Sequence, residues 1–181
     1  LGDSHRGFRV LGTSEAYFEH YRYARDRRLD ISEGARFSDL YDAVIGAEVA
    51  QQLGYELGDA MVVAHGASDV SFTRHDEQPF RVAGILARTG TPIDRTVHIS
   101  VEAMEAIHID WKGGPPVPGM KASADQARTM DLTPKAITAA LIGLTSKVSI
   151  FRVQRFINDY SQEPLSAILP GVALSQLWNL V

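Results

Sequence analysis

Residues 43–63 read Ala-Val-Ile-Gly-Ala-Glu-Val-Ala-Gln-Gln-Leu-Gly-Tyr-Glu-Leu-Gly-Asp-Ala-Met-Val-Val, and this stretch decides the fold. Its apolar start predicts a buried strand, and the segment 47–53 predicts a short helix. Gly54 suits the left-handed position that ends a helix, because glycine adopts it without steric cost. A turn at Gly58-Asp59 then leads into a second strand from Met61. None of these residues is a plausible catalytic group, so the stretch builds a scaffold.

The flanking sequence predicts further short strands and helices. Ser100 is typical of a helix N-cap, so a helix is expected over 101–107. Thr13 or Ser14 is expected to begin an earlier helix in the same way. A solvated turn is predicted at 22–28 and a loop at 29–37. The strands 70–74 and 79–87 are expected to pair as a hairpin. All predicted strands lie at 7–12, 41–47, 60–65, 70–74, 79–87 and 96–100.

The C-terminal part of the chain has a different texture. The apolar run 136–144 predicts a buried strand, 165–169 predicts a second strand, and a final amphipathic helix is expected from Pro170. Between the strands, a helix is expected from Ser146 to Tyr160. Its predicted apolar face comprises Val148, Phe151, Phe156, Ile157 and Tyr160, with Lys147, Arg152 and Arg155 mostly opposite.

The two textures predict an α+β fold with two lobes. One is a mixed lobe of short strands and helices over 12–115. The other is a strand–helix–strand–helix unit over 130–181, to which 1–11 are expected to add a strand. A loop rich in glycine and proline, beginning at 113 and extending to 129, is expected to link the lobes.

Composition excludes several classes of function. The chain has 181 residues and a net charge of −4, which argues against sequence-independent nucleic-acid binding. It has no cysteine, so disulfides, thiolate metal sites and cysteine nucleophiles are excluded. The sequence contains no run of eighteen apolar residues, so it predicts no membrane span, and it shows no signal peptide. The sequence begins without methionine and ends within an apolar pattern, so we expect a soluble piece excised from a longer protein.

The candidate chemical groups do not form a recognisable site. The histidines at His75-Asp-Glu77, His98 and His108-Ile-Asp110 lack the spacing that places two imidazoles on one helix face. A Gly-x-Ser-x-Gly elbow and the phosphate-binding glycine motifs are absent from the sequence. We therefore assign no catalytic, cofactor-binding or metal-binding residue and expect no enzyme activity.

The aromatic residues are core candidates first. Trp178 has two interpretations of equal standing: a ring at a membrane–water boundary or a ring packed inside the second lobe. The phenylalanines expected to be buried are Phe8, Phe18, Phe37, Phe80 and Phe151.

The order and spacing of several segments resemble the extracytoplasmic domain of ABC-transporter permeases of the MacB/FtsX type. No single motif is specific, but together they cover roughly 150 residues. One departure is Gly34-Ala-Arg36, where the family has Gly-Arg. The segments that carry the resemblance are Phe8-Arg-Val-Leu-Gly-Thr-Ser-Glu-Ala-Tyr-Phe18, Ala43 to Asp59, Phe80-Arg-Val-Ala-Gly-Ile-Leu86, Thr96-Val-His-Ile-Ser100 and Pro164 to Trp178.

The resemblance implies a periplasmic domain of an inner-membrane protein. Residues 12–115 would form its distal lobe, and 1–11 with 130–181 a membrane-proximal, porter-like βαβ lobe. The implied partners are an ATPase subunit that binds the ATP, a second permease copy or related permease, and a periplasmic protein. The domain itself would hold no cofactor and would relay ATP-driven motion to a substrate or partner outside the membrane.

Two other functions compete with this interpretation. The chain could be a soluble periplasmic binding or adaptor module with a ligand groove between lobes. It could also be a small hydrolase that uses His75 or His108 with nearby acids. The transported substrate, the direction of transport and the oligomeric state are not encoded in any pattern of the sequence.

Overall fold

The structure is a computed structural model, which describes residues 3–65, 80–108 and 124–173. The chain divides into two compact units, Leu1–Ala139 and Ala140–Val181. None of the described helices combines the length and the apolar character that crossing a membrane requires.

The described residues of the first unit form one mixed sheet of eight strands. The order along the sheet is β3-β7-β4-β8-β2-β1-β6, and β5 also pairs with β7. β2 pairs in parallel with β8, and β4 pairs in parallel with β7, whereas the other pairings are antiparallel. The strands are β1 (Asp3–His5), β2 (Phe8–Thr13), β3 (Ile31–Gly34), β4 (Asp42–Ile45), β5 (Ala60–Met61), β6 (Ala64–His65), β7 (Phe80–Leu86) and β8 (Thr96–Ser100).

β4 is the central strand of the core, and all four of its residues are buried. Its side chains alternate between the two faces of the sheet, as the strand period of two requires. Ala43 and Ile45 belong to the larger hydrophobic cluster, whereas Val44 belongs to a second cluster with Phe18 and Leu86. The sheet therefore has hydrophobic contacts on both faces.

Helices supply the other half of each cluster. The larger cluster includes buried residues of α2 (Ala47–Leu53), α3 (Val101–Ile107) and α4 (Ala124–Arg128), and the smaller one includes Phe18 of α1 (Glu15–His20). α2 ends at Gly54 in the left-handed conformation, with φ 69°. The hydroxyl of Ser100 caps α3 by accepting a hydrogen bond from the Ala103 N–H. A 3₁₀ turn, Pro92–Arg95, precedes β8.

The second unit contains a 3₁₀ turn at Lys147–Ser149 and the helix α5 (Ile150–Asn158). Residues 170–173 are also helical, and no strand lies among the unit's described residues 140–173. The segment 165–169 runs irregularly beside α5. Ala167 accepts a hydrogen bond from Gln154 and donates one to Asn158.

The α+β prediction is confirmed. The buried strand β4, the helix α2 with its Gly54 end, the strands β7 and β8, and the capped helix α3 all form where the sequence predicts them. Residues 24–28 are exposed and include a turn that the pairing of Tyr23 with Arg27 closes, whereas Arg22 and Tyr23 are half-buried. The predicted hairpin partner 70–74 lies outside the described residues, as do 109–123 and Trp178.

Several predictions of lobe membership and one of local structure are wrong for the described residues. Residues 1–11 were expected in the second lobe, but β1 and β2 lie in the first unit because β2 pairs with β8. The end of the expected linker 113–129 is the helix α4, whose Ala127 is buried in the core of the first unit. The predicted 29–37 loop contains the edge strand β3.

The βαβ arrangement expected for the second lobe is also not formed by its described residues. The segments 136–144 and 165–169 are irregular, and Ile137, Leu141 and Ile142 are exposed. An apolar run becomes a strand only when another strand supplies its hydrogen-bond partners, and here neither segment pairs with one. The helix α5 itself is confirmed.

Candidate functional site

His98 is the most deeply buried titratable side chain of the described residues. It lies on β8, and its imidazole is packed against the rings of Tyr17 and Phe18. Nδ1 donates a hydrogen bond to the Val44 carbonyl at 3.0 Å, while Nε2 has no partner among the described residues. Burial lowers the pKa of His98 to about 4, although the Val44 bond opposes the shift. The imidazole is therefore neutral and fully enclosed, which gives it a structural role.

Two other histidines hold β1 in place. Nδ1 of His5 donates to the Val62 carbonyl at 2.7 Å, and Nε2 accepts from the Tyr55 hydroxyl at 2.9 Å. Burial lowers the pKa of His5, which favours this neutral form. His108 follows α3, and its Nε2 lies 3.6 Å from a carboxylate oxygen of Asp3.

Of the candidate histidine groups, only His98 and His108 lie among the described residues, and neither belongs to a metal centre there. His75, Asp76, Glu77 and Asp110 lie outside the described residues. Within 3–65, 80–108 and 124–173, no group of three or more metal-ligating side chains could hold an ion.

Asp42, at the start of β4, is a buried carboxylate that accepts hydrogen bonds from three residues. Its side chain is 1% exposed. Oδ2 accepts from the Ser38 N–H at 2.8 Å, the Ser38 hydroxyl at 2.7 Å and the Asp39 N–H at 2.9 Å, whereas Oδ1 accepts from Arg81 at 2.8 Å. Burial would raise the pKa of Asp42, but the bonds from Arg81, Ser38 and Asp39 outweigh it and lower the pKa. This carboxylate fixes the loop that enters the central strand.

Asp39 extends the same network to α4. Arg128 donates to both oxygens of Asp39, at 2.9 and 3.1 Å, in the bidentate geometry that arginine and carboxylate favour. The Arg128 bond is the main reason that the pKa of Asp39 is lowered. The guanidinium also lies 5.2 Å from the centre of the Tyr41 ring. Ion pairing and cation–π contact thus attach α4 to the entrance of β4.

Asp94 plays a similar role before β8. It is buried, and its carboxylate accepts from the Thr89 N–H, the Thr89 hydroxyl and the Gly90 N–H, each at 2.8 Å. Asp42 and Asp94 therefore order loops, because their carboxylate oxygens accept hydrogen bonds from the backbone and side chains of the loop residues beside them.

Two open grooves lie on the surface of the described residues. One, of about 790 Å³, lies in the first unit and is lined by residues of β3, α2 and the end of β7, with Tyr55 and Leu57. The other, of about 630 Å³, belongs to the second unit and lies along α5, where Phe151, Arg152, Arg155 and Phe156 line it. Both are open to solvent, so they suit a large partner surface better than an enclosed small molecule.

A family model matches residues 2–140, and its description is the MacB-like periplasmic core domain. The chain belongs to this family. The matched range covers all but the first residue of the first unit, Leu1–Ala139, which holds the sheet and both hydrophobic clusters. This MacB-like domain is therefore an extracytoplasmic domain of an ABC-transporter membrane protein. No curated protein matches the chain.

The sequence interpretation missed two features of the MacB-like domain. It gave no role to Asp39 and Arg128, whose contact joins positions 89 residues apart. It also placed Phe151 and Phe156 on the packed face of the helix, but they are 69% and 71% exposed. The two positions are five residues apart, which is 140° around a helix, and that spacing could have revealed that they do not share one narrow face.

Proposed function

We propose that this MacB-like domain is a non-catalytic mechanical and recognition part of an ABC-transporter permease. It would stand outside the inner membrane and relay the motion that ATP produces on a separate ATPase subunit to a substrate or a periplasmic partner. The observation that carries the proposal is the family match over 2–140, which spans all of the first unit except its first residue.

The contacts of the first unit support a mechanical role. The central strand β4 has hydrophobic clusters on both faces, and the Asp42 and Asp94 carboxylates lock the loops at the entrances of β4 and β8. Arg128 fastens α4 to Asp39. A densely packed core does not deform smoothly, so a displacement applied at one side moves the unit as a body.

The contacts of the buried titratable groups support a non-catalytic role. His98 and His5 use their rings in hydrogen bonds to backbone carbonyls, and Asp42 is saturated by neighbouring donors. A general acid or base needs a position within hydrogen-bond reach of a substrate. The fully enclosed His98 has no such access.

The proposal assigns partners by class. The ATPase subunit would act through the parent permease, and a second permease copy or a related permease would complete the transporter. A periplasmic protein could meet the open grooves of the domain. ATP would be bound by the ATPase subunit, and no cofactor is assigned to the domain.

Topology labelling of the parent protein tests the location. Because the chain has no cysteine, Gln52→Cys would introduce a reactive thiol on the exposed side of α2. We expect a membrane-impermeant maleimide to label it in intact spheroplasts. Val44→Cys, which is fully buried, is the matched control and should react only after denaturation. Labelling of Gln52→Cys only after the inner membrane is broken would refute the proposed location.

A further inference from the structure

The outward side of α5 carries an unusual combination of side chains. Phe151, Arg152, Arg155 and Phe156 are all exposed and line one open groove with Asp159 and Tyr160. At 100° per residue, the two arginines lie in the middle of the exposed arc and a phenylalanine lies on each side of them. Val148, in the turn before the helix, is 89% exposed. Large apolar and basic groups therefore share one surface.

The opposite side of α5 is already occupied by the unit itself. Ile150, Val153, Gln154 and Ile157 are half-buried. Gln154 donates to the Ala167 carbonyl at 3.1 Å, and the Ala167 N–H donates to Asn158 at 2.7 Å. These contacts fix the rotation of the helix within its unit, so the Phe-Arg-Arg-Phe side cannot turn inward.

The charge of this surface is net positive, because the two arginines outnumber the single carboxylate, Asp159, that lines the same groove. Arg152 and Arg155 form no ion pair with a described residue. Residues 140–181 contain three basic and two acidic side chains, a net charge of +1, although the whole chain carries −4. A chain of net negative charge thus presents Arg152 and Arg155 between two exposed aromatic rings.

We propose that the outward side of α5 docks on the surface of a bilayer that contains anionic phospholipids. The arginines would pair with headgroup phosphates, to which guanidinium geometry is well suited. The phenylalanines would enter the boundary between headgroups and acyl chains, as apolar residues of interfacial helices do. The membrane is the occupant that fits both halves of the surface, and an extracytoplasmic domain of a membrane protein lies beside one. The inference does not depend on ATP-driven motion.

Vesicle sedimentation of the 181-residue chain tests the docking. We expect binding to vesicles of phosphatidylcholine and phosphatidylglycerol, much weaker binding to phosphatidylcholine alone, and release of the protein by molar salt. Arg152→Gln with Arg155→Gln should weaken binding to the anionic vesicles about 30-fold. Phe151→Ser with Phe156→Ser should weaken it at least about tenfold.

Matched variants in the first unit control for charge and hydrophobicity. Arg25→Gln with Arg28→Gln removes the same charge from an exposed turn, and Met130→Ser removes an exposed apolar side chain. Both should bind like the unchanged protein. Equal loss in these controls, or no preference of the unchanged protein for anionic vesicles, would overturn the proposal. Binding to an acidic protein surface without any binding to vesicles would overturn it as well.

Discussion

Acid should destabilise the first unit through His98, and replacing this residue should remove most of that effect. In the folded protein burial lowers the pKa of His98 to about 4, whereas the unfolded chain has the ordinary value of 6.5. The unfolded state therefore binds the proton first as the pH falls. The stabilisation is complete above pH 6.5, declines between 6.5 and 4, and is lost below 4.

The magnitude follows from the separation of the two pKa values. Each pH unit between them is worth about 1.4 kcal/mol, so the full effect is about 3 kcal/mol, and about 2 kcal/mol is already lost at pH 5. The carboxylates Asp39 and Asp42, whose pKa values are lowered, lose their contribution only in more acidic solution. The range from pH 7.5 to pH 5 thus separates the histidine from them.

Urea unfolding followed by circular dichroism would measure this dependence. His98→Asn can keep the donor to the Val44 carbonyl, and His98→Phe suits the aromatic surroundings, but neither side chain titrates. Both variants should show a much smaller loss of unfolding free energy between pH 7.5 and 5 than the unchanged protein. His5, whose pKa burial also lowers, supplies the remaining slope. Equal slopes in all three proteins would refute the reasoning.

Two further predictions concern the loops and the sheet. Asp42→Asn should cost about 2–4 kcal/mol of unfolding free energy, because one amide oxygen cannot replace the carboxylate that the Ser38 and Arg81 donors share. Arg81→Met should cost clearly less, since Arg81 is 59% exposed, and an equal loss in urea unfolding would contradict this ranking. Gly84→Ala should lower the free energy of unfolding by about 2 kcal/mol or more, because the added methyl group would meet the Ala35 carbonyl oxygen. Gly143→Ala is the control, since open space surrounds Gly143, and it should change the free energy of unfolding by less than about 1 kcal/mol. Similar melting temperatures for both variants would count against the packing argument.

The centre of the fold is predictable because local and tertiary signals agree there. The apolar residues of β4, the helix α2 and the left-handed Gly54 all point to one strand–helix unit. Ser100 predicts the start of α3 because its cap is a local hydrogen bond. Such signals lie within a few residues of the structure that they specify.

Features that depend on distant partners are not predictable in this way. β3 has no apolar alternation, since it is an exposed edge strand held by pairing with β7, and the sequence therefore resembles a loop. The run 136–144 is apolar enough for a strand, but it pairs with no strand among the residues that the structure describes. The contact of Asp39 with Arg128 leaves no pattern in either local sequence. For the candidate surface, α5 is predictable, but the exposure of Phe151 depends on how 165–169 covers the helix.

Distance measurements in the parent permease test the central claim most directly, namely that the first unit moves as a rigid body when ATP binds. The cysteine-free chain allows spin labels at Gln52→Cys and Glu102→Cys, both on exposed helix positions. The distance between the two labels within one domain should stay constant, while the distance between Gln52→Cys labels on two permease copies should change when ATP binds to the ATPase. An unchanged distance between copies, in a complex that still binds and hydrolyses ATP, would contradict the claim.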